Sequence, residues 1–284
     1  MRVRALLFLF FLLAISSSVW SQPVQSKWAT LDGNKIHYYD VGITKADKAL
    51  VLIHGWTCNA DFWKDSRTAF PAYRVISIDL PGHGRSDKPR LTYSMEHFAK
   101  AVHAVVKKAG VKRAVLVGHS MGTPVARQFY RLYPDQTLGL VAVDGALQAF
   151  FTKEVLDQFF APLRADYNAN AAKFVDGMLE PIKDEALKKI IRDSMLATPE
   201  HVGLSALEGM ADEKIWIEDR INVPVLAIMA PSPAWPQNIK ERYLAIAPNL
   251  DFHMWMGVSH FLHMEKPKEF NETVRAFVIK NKLL

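Results

Sequence analysis

The sequence predicts an α/β protein with a mostly parallel central sheet flanked by helices and a helical cap inserted after one of the middle strands. Three observations carry this expectation. Short continuous apolar runs recur along the chain, as suits strands buried on both faces. Segments with helical spacing lie between them. One long stretch, 146–221, breaks the alternation with helical patterns alone.

The elements follow in order. Trp28 to Val41 holds Leu31-Asp32-Gly33-Asn34 between two alternating segments, and Asp-Gly there predicts a hairpin of antiparallel strands. Apolar runs come next at Ala49 to Ile53, Arg74 to Ile78, Ala114 to Val117, Leu138 to Val143 and Val223 to Met229, with Leu250 to Met256 near the end. Met95 to Ala109 sets Phe98, Val102, Val105 and Val106 on one stripe. Val125 to Tyr133 and Glu265 to Lys280 have the same helical spacing. Residues 22–145 and 222–284 therefore form one sheet-based core, and 146–221 a cap over the crevice where open sheets bind ligands. A chain of 284 residues, 50% hydrophobic, is long enough to bury one large core.

The N-terminus, MRVRALLFLFFLLAISSSVWSQP, has two arginines, then an apolar stretch from Ala5 to Ile15, then a short polar stretch ending at Ser21. This is the three-part pattern of a secretory signal, and its apolar part is too short to span a bilayer comfortably. The expectation is a signal peptide at 1–21, cleaved after Ser21, and a periplasmic or secreted protein with no stable membrane span. An uncleaved anchor is the alternative. The formal charge of +6 drops to +4 without Arg2 and Arg4, and no basic run interleaves with aromatics, which argues against a nucleic-acid partner. Cys58 is the only cysteine, so no internal disulfide can form; it reads as a small buried residue. There is no metal-ligand cluster or phosphate loop in the sequence, so no cofactor and no metal are expected.

The strongest chemical signal is Gly118-His119-Ser120-Met121-Gly122, between a strand and a helix. G-x-S-x-G in that context makes a sharp turn that projects the serine hydroxyl into the crevice. A serine hydroxyl is a weak nucleophile at neutral pH and needs a neighbouring base.

Three further motifs accompany the turn: His54-Gly55-Trp56, Asp79-Leu80-Pro81-Gly82-His83-Gly84-Arg85-Ser86, and Gly257-Val258-Ser259-His260 running on to Glu265-Lys266-Pro267. Together, and in this order, they resemble the α/β-hydrolase family from about Trp28 to the C-terminus. The resemblance implies that Ser120 is the nucleophile and His260 its base. It also implies that the backbone N–H groups of Trp56 and Met121 form an oxyanion hole. His263 reads as a packing or pocket residue, His119 as turned away from the crevice, His54 as shaping the oxyanion loop, and Asp79 as structural.

The orienting acid departs from the commonest pattern. Most relatives carry it just after the strand matching Val223 to Met229, where this chain reads Ala230-Pro231-Ser232-Pro233, and the next acid, Glu241, falls in a helix. Some lipases and haloalkane dehalogenases carry it one strand earlier, and Asp144 stands there in the order Ser120, Asp144, His260. Asp144 is the expected acid; an acid from the cap, such as Asp212, or no acid at all are the alternatives.

Serine at the turn argues against dehalogenase or epoxide hydrolase chemistry, which the family performs with aspartate. It favours an acyl-enzyme route on a small to medium hydrophobic carboxylic ester or lactone. Amide and diketone C–C bonds lie within the same chemistry. The cap carries Phe150, Phe151, Phe159, Phe160, Phe174, Met178, Met195, Met210 and Trp216; most are expected to pack against the sheet, and a few facing inward would make the pocket apolar. The alternatives are a ligand-binding sensor with a hydrolase-like pocket and a membrane-tethered interaction protein.

Overall fold

The computed structural model describes residues 24–284, so the stretch read as a signal peptide lies outside the described residues. Eight strands form one sheet: β1 (Gln25–Leu31), β2 (Asn34–Gly42), β3 (Lys48–Ile53), β4 (Arg74–Ile78), β5 (Arg113–His119), β6 (Thr137–Val143), β7 (Val225–Met229) and β8 (Leu250–Met254). Their spatial order is β1-β2-β4-β3-β5-β6-β7-β8. β1 and β2 form the antiparallel hairpin expected at Asp32-Gly33, and β2 joins β4 antiparallel; every other pairing is parallel. β7 begins at Val225, two residues later than the apolar run suggested. Pro224 interrupts that run and, having no N–H, cannot donate to the ladder; its carbonyl accepts from Leu140 N–H at 3.0 Å.

The helices are α1 (Lys64–Arg67), α2 (Met95–Lys108), α3 (Gly122–Leu132), α4 (Lys153–Ala165), α5 (Tyr167–Leu179), α6 (Glu185–Leu196), α7 (Glu200–Ala211), α8 (Ile239–Ile246), α9 (Leu262–Glu265) and α10 (Pro267–Lys280). Both sheet faces are covered. Along β3, Ala49, Val51 and Ile53 join one core with Phe98 of α2 and Val125 of α3. The alternating Leu50 and Leu52 join another with Trp63, Phe270 and Val274. That alternation explains the apolar runs: a strand buried on both sides has no polar position to spend on solvent.

Between β6 and β7 the chain forms α4 to α7 and a short turn at Glu213–Trp216, with no strand. Side-chain caps start three of these helices: Thr152 on α4, Asp166 on α5 and Asp184 on α6. Arg127, buried on α3, ties both ends of the insertion to the core. Its guanidinium donates to the Leu147 carbonyl at one end and, at the other, to the Ile217 carbonyl and the Asp219 carboxylate, the last at 2.7 Å. Arg131 adds a second clamp on Asp219 at 2.6 Å. No described helix is long and apolar enough to cross a membrane.

Candidate active site

The turn after β5 is built as its glycines require. Ser120 sits at φ +51°, a left-handed conformation costly for a side chain that bears a Cβ. A Cβ at Gly118 would lie 2.2 Å from the Gly122 carbonyl oxygen, and one at Gly122 would lie 2.3 Å from that of Ile53. Neither position can hold a larger residue without moving the strand. Ser120 N–H donates to the Val143 carbonyl at 3.0 Å, so the ladder between β5 and β6 continues into the turn.

Asp144 follows β6, also left-handed at φ +42°, and only 3% of it is exposed. Its Oδ2 lies 2.6 Å from Nδ1 of His260. Its Oδ1 accepts from Ala230 N–H at 2.9 Å and from the Trp235 indole N–H at 3.2 Å. Each carboxylate oxygen is thus engaged, which offsets the cost of burying the charge. A carboxylate facing Nδ1 favours the tautomer with its proton there, leaving Nε2 as an acceptor. His260 and Ser120 line the same cavity as Asp144. Ser120 Oγ makes no hydrogen bond to any described residue; nucleophile–base contacts commonly tighten only with substrate bound.

The end of β7 holds no acid. Within the loop that follows, Trp235 lines the cavity, whereas Pro231 and Pro233 do not. Trp235 also packs edge-on against Phe150, with ring centroids 5.7 Å apart. Asp212, the alternative acid, caps the Glu213–Trp216 turn by accepting from Lys214 N–H at 3.0 Å.

Of the histidines near the motifs, His54, His119 and His263 are buried. His119 Nε2 contacts the His260 carbonyl at 2.9 Å, bracing the loop that carries His260. His54 donates from Nδ1 to the Gly55 carbonyl at 2.8 Å and accepts Leu80 N–H at 3.0 Å, joining the two loops that follow β3 and β4. Burial pulls its pKa down to about 4. His263 packs on Trp63, with ring centroids 4.3 Å apart, and burial lowers its pKa to about 3. Asp79 accepts from His37 Nδ1, Ala60 N–H and Arg85 N–H. Burial opposes its charge, but these bonds outweigh it and hold its pKa below the usual carboxylate range. Cys58 is buried, and burial pushes its thiol pKa up, away from nucleophilic use.

The cavity measures about 180 Å³, with walls from Met121, Phe150, Leu156, Phe160, Met210 and Trp216. Among the described residues, neither Trp56 N–H nor Met121 N–H has an acceptor. Trp56 turns its side chain away, donating from the indole to the Gly203 carbonyl of α7 at 2.8 Å. No group of three or more His, Cys, Asp or Glu side chains among the described residues is arranged to hold a metal. Sequence reasoning missed the Trp235 donor, the His119 brace and the Arg127 clamp. Each joins side chains to groups far away along the chain, with no local pattern to mark it.

Comparison with known proteins places this geometry. The alpha/beta hydrolase family matches residues 50–273. A 2-hydroxy-6-oxononadienedioate/2-hydroxy-6-oxononatrienedioate hydrolase from Paraburkholderia phymatum is 27% identical over 274 residues, covering 86% of this chain and 91% of its own. Among solved structures, a thermophilic esterase is 27% identical with a TM-score of 0.72, covering 91% of this chain and 98% of its own. The N-acyl homoserine lactone degrading enzyme Est816 shares the fold at 24% identity and a TM-score of 0.74, covering 88% of this chain and 100% of its own. With its mostly parallel eight-stranded sheet and a family match spanning most of its length, the chain belongs to the alpha/beta hydrolase family.

Proposed function

We propose that this enzyme is a serine hydrolase that cleaves a small to medium hydrophobic carboxylic ester or lactone through an acyl-enzyme intermediate. The observation that carries the reading is the 2.6 Å contact between His260 and a buried carboxylate, at the edge of a cavity that Ser120 also lines. His260 Nε2 takes the Ser120 proton as Oγ attacks the acyl carbonyl. Asp144 holds the imidazole in the productive tautomer and stabilises the imidazolium that forms. The acceptor-less N–H groups of Trp56 and Met121 bind the developing oxyanion. His260 returns the proton to the leaving alkoxide, the alcohol departs, and water attacks the acyl-enzyme by the same route in reverse. In a lactone the leaving alcohol stays attached to the acyl group.

Apolar walls support a hydrophobic substrate, and hydrolases and an esterase among the similar proteins support the reaction class. The ligand-binding alternative rested on the missing acid after β7. With a carboxylate already bonded to His260 from β6, nothing specific favours it. The test is hydrolysis of p-nitrophenyl esters together with labelling by a serine-directed fluorophosphonate. Wild-type protein should turn over short-chain esters and be labelled once, at Ser120. Ser120→Ala should lose labelling and several orders of magnitude in kcat. Undiminished turnover in Ser120→Ala would overturn the reading.

A further inference from the structure

We propose that Gln148 forms a polar subsite in the otherwise apolar pocket, selecting esters or lactones that carry a neutral hydrogen-bonding group, a hydroxyl or a carboxamide, beside the scissile bond. The inference rests on the hydrolase reading above and specifies its substrate class.

Gln148 lies four residues beyond Asp144, on the segment leaving β6. It lines the same cavity as Ser120 and His260. It is only 3% exposed, and its carboxamide makes no hydrogen bond to any described residue. Yet neither amide atom is among the fully occluded polar atoms left without a partner in the core. The amide therefore keeps some accessible surface, and the cavity that Gln148 lines is where a ligand would reach it. A mostly buried carboxamide without a protein partner favours a ligand that can match it. A hydroxyl could accept from Nε2 while donating to Oε1, and a carboxamide could do the same through its own oxygen and N–H. An alkyl chain can do neither.

The segment is held still on both sides of Gln148. Leu147 N–H donates to the Tyr243 hydroxyl at 3.2 Å, and that hydroxyl donates to the Gly145 carbonyl at 2.9 Å. Arg127 binds the Leu147 carbonyl, and Arg242 binds the Ala149 carbonyl at 2.9 Å. The amide is therefore presented from a fixed backbone, so a ligand meets it without ordering a loop. Phe150, Leu156, Phe160, Met210 and Trp216 give the cavity apolar walls around it. One fixed polar group among apolar walls is the arrangement that sets orientation and specificity in small-molecule sites.

The experiment uses p-nitrophenyl alkanoates and the same chains bearing a hydroxyl or carboxamide at successive carbons, with acetates of matching alcohols and diols to probe the leaving-group side. Wild-type enzyme should favour one polar position over its plain counterpart by about tenfold in kcat/KM, the worth of a hydrogen bond made in place of an unmatched group. Gln148→Met keeps length and removes the amide. It should lower kcat/KM for that polar substrate and raise it for the plain one, with the change mainly in KM, as for a contact made equally in ground and transition states. Gln148→Asn, which retains the amide on a shorter arm, should shift the preferred position rather than abolish the preference. Fluorophosphonate labelling counts active sites in each variant. If Ser120 is not labelled and nothing is hydrolysed, the hydrolase reading falls and this inference with it. If labelling and turnover are normal but Gln148→Met moves polar and plain substrates by the same factor, the subsite alone is overturned.

Discussion

The ends of β6 and β7 lie side by side and divide one task between them. After β6 the chain places a carboxylate, Asp144, at a strained left-handed position. After β7, where many relatives carry the acid, it places only donors: the main-chain N–H of Ala230 and the indole N–H of Trp235, both aimed at that carboxylate. The charge and its support have thus been assigned to neighbouring strands. In consequence, the loop after β7 can remain part of the proposed orienting system without holding an acid. One donor is backbone and insensitive to side-chain change, whereas the other depends on a single residue.

Removing the charge should be the harsher test of that division. Asp144→Asn should lower kcat roughly 10²–10⁴-fold with little change in KM, because an amide can settle the imidazole in the wrong tautomer. Steady-state kinetics on a p-nitrophenyl ester would show it, and an unaltered kcat would remove Asp144 from the mechanism. Removing the support should cost less. Trp235→Phe keeps the packing against Phe150 and loses the N–H, for an expected drop of about tenfold in kcat, in line with a hydrogen bond to a charged group. In an Asp144→Asn background the same change should cost almost nothing, since its effect runs through the carboxylate. Equal losses in both backgrounds would instead make Trp235 only a pocket wall.

The smallest effect concerns the histidines that burial keeps neutral while His260 faces the cavity. In the folded protein the pKa values of His54 and His263 lie at about 4 and about 3, below the unfolded value of roughly 6.5. As pH falls below ~6.5 the unfolded chain takes up protons that the folded chain refuses, so stability is complete above that point and drains away toward pH 3–4. Calorimetry should show Tm level above neutrality and falling below it. His263→Leu, which removes two buried ring nitrogens without partners, should flatten the fall by one group's share. Parallel curves for mutant and wild type would contradict this account of His263.

The sheet was legible in the sequence because strands buried on both faces must be apolar throughout. The β4 run was read to its exact limits, and β3 was recovered but for Lys48, which adds a polar first residue. Pro224 marks where reading hydropathy alone overshoots, since a ladder needs donors as well as apolar side chains. The turn at Ser120 was legible for steric reasons: two glycines at that spacing leave few alternatives. Asp144 was reached through the family resemblance, which offers the end of β6 as a second place for the acid, with Asp212 or no acid as the alternatives. Trp235, Gln148 and Arg127 were out of reach. Nothing in the stretch around Trp235 states that its indole will meet a carboxylate 91 residues away. Gln148 is informative through a bond it does not make, which only a folded chain can show.

One peptide hydrogen bond has a consequence for how this enzyme can change over time. Ser120 N–H is joined to the Val143 carbonyl, and Asp144 is the next residue, itself joined by its N–H to the Ile228 carbonyl. The hydroxyl and the carboxylate are therefore mounted on adjacent rungs of a sheet whose strand spacing, roughly 4.8 Å, is set by backbone geometry. No exchange of apolar side chains inside β5 or β6 alters that ruler while the strands stay paired. Drift in the sheet interior and drift in the pocket lining are thereby decoupled, and substrate preference can wander while the reacting groups keep their distance.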